Sequence, residues 1–194
     1  NLAADITTTA DDITFNGVVT VTAGAALNTG AGIGDITFDK DVTGTGVLSL
    51  AADTGTIHFN STVGATAPLG GLTVTSGTVT FAADVTTSGN VEISNSGILR
   101  FTSAADTITV GGDFVQNGAG ETQLDLDVTI DTAANSGGVS FDTNIKGAWM
   151  LILSAGSGEV DFAGTIGAAT PLSGLDITAG SVTLHDDVTV NGDV

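Results

Sequence analysis

The sequence predicts an all-β fold: a parallel β-solenoid, or β-helix, with about 20–23 residues per coil and about nine coils. Three observations carry that prediction. Short apolar-x-apolar alternations recur two or three times per coil, and a period of two belongs to strands with one buried face. The gaps between triplets are filled by Gly, Asn, Asp, Ser and Thr, which is turn chemistry. No segment sustains a 3.6-residue apolar period, so essentially no helix is expected.

The elements follow from a repeat at two scales. Gly55–Val91 returns as Gly158–Val194 at an offset of 103 residues without a gap, aligning Pro68 with Pro171, Leu69 with Leu172 and Gly77 with Gly180. The match runs back through Gly34–Phe38 with Gly137–Phe141, Val47–Leu50 with Met150–Leu153 and, with small indels, Asp12–Gly17 with Asp113–Gly118. Residues 1–194 therefore read as one continuous solenoid, with 1–103 a first copy and 104–194 a truncated second.

Within the copies, a first ladder of triplets reads Ile13–Phe15, Ile36–Phe38, Ile57–Phe59, Val79–Phe81, Leu99–Phe101, Val139–Phe141 and Val160–Phe162. Phe114 and Val182–Leu184 extend it, so all eight phenylalanines fall on this one ladder. A second ladder reads Val19–Val21, Leu48–Leu50, Leu72–Val74, Val91–Ile93, Leu124–Leu126, Leu151–Leu153 and Leu175–Ile177. A third, weaker one is Val42, Val63, Val85, Ile145, Ile166 and Val188, often preceded by Asp. Coils stacked at about 4.8 Å would put Phe on Phe and Leu on Leu in a rod roughly 45 Å long. A right-handed winding is expected by analogy with parallel crossovers.

Composition bounds the partners. The chain has 22 acidic residues against three basic ones, Lys40, Arg100 and Lys146, for a net charge of −19. Phosphate contacts need Lys and Arg, so nucleic acid is excluded as a natural partner, and an anionic membrane surface is disfavoured. There is no Cys, hence no disulfide framework or thiol chemistry. No run of about 18 apolar residues is present to span a membrane. Neither end carries a polar cap. The sequence therefore reads as a slice of a longer solenoid or as a subunit whose ends stack on neighbouring copies.

The phrases DITFNG, GDITF, GTIHFNSTVGATAPLGGLTVTSGTVTF and GEVDFAGTIGAATPLSGLDITAG resemble the repeats of very large bacterial secreted proteins. Filamentous-haemagglutinin-like and autotransporter-type adhesins are among these. The resemblance covers almost the whole chain and is periodic and compositional. It implies a β-solenoid shaft on the bacterial cell surface or outside the cell, serving adhesion, matrix or filament building. It carries over no catalytic residue.

Residue chemistry agrees in assigning no catalytic, cofactor or metal site, so the chain is read as a non-enzyme. The acid pairs Asp125/Asp127, Asp11/Asp12 and Asp186/Asp187 could serve as general acid and base. Asp125 and Asp127, however, alternate with Leu124 and Leu126, as on the outer face of a strand. The alternative from another class, a carbohydrate-binding or carbohydrate-cleaving β-helix, calls for an acidic groove with a row of aromatics. His58 and His185 lack partners at metal-ligand spacing. Calcium is the one ion considered as a ligand, in the acidic turns Asp39-Lys40-Asp41 and His185-Asp186-Asp187. The bland reading there is turn-forming Asp that also guards against edge pairing.

Thr-x-Thr runs at Thr20–Thr22, Thr73–Thr75, Thr78–Thr80 and Thr107–Thr109 suggest an ice-binding face. The outward row Thr14, Thr37, His58, Thr80, Arg100, Ser140, Asp161 and Thr183 is interrupted by charge and argues against it. Trp149 replaces Gly46 of the first copy and is expected to point outward. Lys40 and Lys146 are expected to be solvated rather than crosslinked to Asn.

Overall fold

A computed structural model describes residues 1–193, except for the side chains of residues 103–106. The chain winds as a parallel β-solenoid of about eight turns. Nine strands stack in one sheet and ten in another, and the paired strands of both run parallel. The helical content among the described residues is a single 3₁₀ turn, Ala133–Asn135.

Each coil has three sides. The first holds Ile13–Phe15, Ile36–Phe38, Thr56–Phe59, the leading parts of Thr78–Thr87 and Ile98–Val110, then Glu121–Leu124 and Ile145–Lys146. The second holds Val19–Thr20, Val42–Thr43, the trailing parts of those two long strands, then Val128–Asp131, Met150–Ser154 and Gly174–Thr178. The third runs from Ile6–Thr7 through Ala25–Asn28, Val47–Ala51, Gly71–Ser76, Val91–Asn95, Phe114–Gln116, Val139–Phe141 and Glu159–Phe162 to Ser181–Leu184. The long strands bend between the first and second sides, where their register shifts between Phe81 and Val85.

Alternation places every second side chain inward, so like residues form columns. Phe15, Phe38, Phe59, Phe81 and Phe101 stack with ring centroids 5.0 to 5.9 Å apart. The coil spacing of about 4.8 Å imposes this parallel stacking, which burial makes favourable.

The single eight-member phenylalanine ladder is corrected by the structure. Phe101 is followed in its column by Leu124, on the first side. Phe141 and Phe162 stack on the third side, above Gln116 and Ile93. Phe114 lies in the neighbouring column, between Val91 and Val139, tilted 46° to Phe141.

The other two ladders change sides as well. Leu48–Leu50 and Leu72–Val74 are on the third side, but Leu151–Leu153 and Leu175–Ile177 are on the second, where Val19 already lies. Val42, Val63 and Val85 bridge on the second side, whereas Ile145, Ile166 and Val188 continue the first. The reason is arithmetic: 103 residues are not a whole number of coils. From Phe59 the first side recurs at Phe81, Phe101, Leu124 and the Ile145–Lys146 strand, and Phe162 lies two sides further on. One repeat is four coils and two sides, so the second copy is turned by one side against the first. The matching loops around Pro68 and Pro171 accordingly occupy different corners. One precedes the third side at Gly71, the other the second side at Gly174.

The corners, where strand pairing lapses, are joined by acidic and amide side chains. The residue just before an inward-facing strand residue is repeatedly Asp or Asn. Its side-chain oxygen accepts the backbone N–H of the same position one coil on. Asp12 accepts Asp35 N–H at 2.8 Å, Asp35 accepts Thr56 at 2.6 Å and Asp5 accepts Ala26 at 2.8 Å. Asn90, Asp113, Asp127 and Asn144 do the same for Asp113, Gly138, Met150 and Thr165. Otherwise these N–H groups would need a partner where the ladder has ended.

Candidate functional surface

The outward rows are where recognition chemistry is sought, because the inward columns are filled mainly by aliphatic and aromatic side chains, with a few buried polar ones such as Asn95, Gln116 and Thr122. On the first side the row reads Thr14, Thr37, His58, Thr80, Arg100, Gln123 and Lys146. Ser140, Asp161 and Thr183, expected in the same row, belong to the third side, in line with Thr73, Glu92 and Val115. Neither row is an unbroken array of threonine.

Basic residues of the first side are held by acids on neighbouring coils. Arg100 Nε lies 2.7 Å from Asp125 Oδ2, and Lys146 Nζ donates to Glu121. Glu121 also accepts an N–H from Asn144. The Lys146 ammonium, and then the Asn144 amide, hold the Glu121 carboxyl below its ordinary range. The expectation of a free, solvated Lys146 is thus corrected: its side chain is about one-quarter exposed and paired across coils.

Asp125 and Asp127 are not on a strand face. They lie with half-buried Leu126 in the turn between Glu121–Leu124 and Val128–Asp131. They serve separate partners, Asp125 the Arg100 guanidinium and Asp127 the Met150 N–H. Asp12 accepts from the backbone of the next coil, and Asp186 accepts the N–H of Asp187. Asp12, Asp125, Asp127 and Asp186 are thus each engaged by a backbone N–H or a guanidinium.

The turn Asp39-Lys40-Asp41 is organised by hydrogen-bond donors. Asp39 accepts from Asn60 Nδ2 at 3.1 Å, and Asp41 accepts the hydroxyls of Ser61 at 2.5 Å and Thr62 at 3.0 Å. The Ser61 hydroxyl, followed by that of Thr62, lowers the Asp41 pKa, and the charge of exposed Lys40 adds a smaller contribution. Among the described residues, no three His, Cys, Asp or Glu side chains converge as a metal site. His185 Nε2 is 3.0 Å from Asp161 Oδ1, while His58 lies half-buried between Thr37 and Thr80 in its row.

Trp149 is 44% exposed, as expected. Its carbonyl accepts the N–H of Ser173 from the Pro171 loop. Two shallow clefts lie on the flanks. One of about 230 Å³ follows the corner lined by Asp53, Ser94 and Asn95, and one of about 300 Å³ is lined by Asp113, Ser140, Glu159 and Asp161. A third, of about 380 Å³, is the open lower end of the core at Leu2, Ile6, Phe15 and Val18. Trp149, beside a second-side strand, is on a different side from the acidic cleft, so the two do not form one sugar-binding groove.

The inter-coil role of Asp and Asn is what reading the sequence missed. The recurrent Asp before Val42, Val85 and Val128 was the available signal. Among the described residues no helix is long and apolar enough to cross a membrane. No protein-family model, curated protein or solved structure matches the chain.

Proposed function

We propose that the chain is a shaft segment of a bacterial extracellular or cell-surface adhesin or fibre, and that its work is mechanical. The observation that carries this reading is the unbroken coil-on-coil pairing of all three sides, reinforced at the corners by side-chain rungs. Such a rod resists bending and extension because no coil can peel away without breaking backbone bonds to its neighbours and uncovering its apolar column. The acidic surface favours solubility and discourages lateral clumping of rods. The likeness of the repeat phrases to filamentous-haemagglutinin-like proteins supports the extracellular setting.

Immunogold labelling of unpermeabilised source cells, using an antibody to this chain, should decorate the outer surface or material shed from it. Gold confined to the cell interior would overturn the reading.

A further inference from the structure

Several differences between the two copies gather on one face. The inward residues keep their character, with Leu48, Leu50 and Leu72 of the first copy matched by Leu151, Leu153 and Leu175 of the second. Six positions outside the core do not. Where the first copy has Gly46, Val47 and Ser49, the second has Trp149, Met150 and Ile152. Where the first has Gly24, Asn28 and Thr73, the second has Asp127, Asp131 and Asp176.

Strand pairing brings these six together on the second side. Met150 lies one coil above Asp127, whose carboxylate accepts its N–H at 2.8 Å. Ile152 lies one coil below Asp176, and Asp131 is beside Ser154 of the same strand. Turns of equal length between the Gln123–Lys146 and Val128–Leu151 pairs put Trp149 over Leu126. Trp149 is 44% exposed, and Met150 and Ile152 are half-buried. Coils lie both below and above this place, so the exposure is not that of an end of the rod.

The carboxylates around the strip retain acceptor capacity. Asp176 is exposed and accepts no hydrogen bond among the described residues. Asp127 and Asp131 each have one oxygen engaged by a backbone N–H. Arg100 and Lys146, on the adjoining first side, are already paired with Asp125 and Glu121.

We infer that this face binds a protein segment of complementary make-up, with apolar side chains on Trp149, Met150 and Ile152 and Lys or Arg side chains at Asp127, Asp131 and Asp176. Trp and Met are enriched in interface cores, and an exposed indole attracts cations as well as apolar groups. Opposite charge at the border steers and orients such a partner. A sugar fits less well, because Met150 and Ile152 offer its hydroxyls no strong hydrogen bond beside the indole. The site goes beyond the shaft reading and stands whether or not the chain is found outside the cell.

Trp149 is the chain's one tryptophan, so its fluorescence reports on this face alone. The probe is a short synthetic peptide of leucines flanked by lysines, without aromatic residues. Added to the full chain, it should shift the emission to the blue in a saturable way as the indole loses water. Replacing its leucines by serine, or its lysines by glutamate, should weaken binding about tenfold or more. Ile152→Ser and Asp176→Thr restore the first copy's residues on outward rows. Each should weaken binding several-fold while leaving the β circular dichroism unchanged. An emission that stays constant at millimolar peptide overturns the inference, as does unchanged affinity in both variants. Equal binding of the lysine–serine peptide also overturns it, since that is adsorption to the net charge of −19. A shift produced by a neutral oligosaccharide and not by the peptide would make the face a sugar site instead.

Discussion

Asp35 shows how one side chain can serve two coils. Its carboxylate accepts the Thr56 N–H above, and its own N–H donates to Asp12 below. Asp35→Ala leaves the Thr56 N–H without its acceptor and should cost about 1–2 kcal/mol, whereas Asp35→Asn, which keeps an acceptor oxygen, should cost less than half of that. Chemical denaturation of the two variants measures the difference. Thr122 is the opposite case. It stands between Leu99 and Ile145 in an apolar column, 1% exposed, with its hydroxyl unpartnered. Thr122→Val should stabilise the chain by about 1 kcal/mol, seen as a higher denaturation midpoint with an unchanged slope. The Asp that often precedes a residue of the third ladder was legible in the sequence, but its purpose was not. The N–H it serves lies about a coil away, and a local reading of Asp finds only a turn former.

At the scale of elements, the two copies diverge instructively at one corner. Gly44 and its counterpart Gly147 both take positive φ, 115° and 136°, so the corner is built alike. Two residues on, Gly46 of the first copy corresponds to Trp149 of the second. A Cβ at Gly46 would lie 2.1 Å from the Ala23 carbonyl oxygen of the coil below. Gly46→Ala should therefore force two coils apart and cost several kcal/mol, on the order of 2–4. Trp149→Ala, at an exposed position, should change stability by less than about 1 kcal/mol. Thermal unfolding of both variants checks this asymmetry. The strands themselves could be read from the period-two triplets because alternation is a local property. Which side each strand occupies could not, since that depends on the summed length of all preceding turns. The slip around Phe114, where the aromatic moves one column over, was enough to hide the hand-over of the phenylalanine stack.

The whole molecule carries 22 carboxylates, and two of them mark how it should respond to acid. Asp41 and Glu121 both have folded-state pKa values below their ordinary ones, held down chiefly by Ser61 and by Lys146. Stability from such a group is fully present above its unfolded pKa of about 4 and is lost as pH falls through the lower folded value. An Asp41→Asn/Glu121→Gln variant should therefore be less stable than the parent near neutrality. The gap between their melting temperatures should close as pH drops below about 4. A gap that persists unchanged at pH 2 would mean these carboxylates act only as neutral acceptors.

The turn of one side between the two copies has a further geometric result. Applied again and again, a unit of four coils and two sides generates a threefold screw axis with a rise of about 22 Å per repeat. Any feature borne once per repeat, such as the proline loop at Pro68 and Pro171, would step around the shaft and come back to its starting azimuth after three repeats. An array of this unit would show the same loop in three directions by turns, so a contact made at that loop is available whichever way the rod lies.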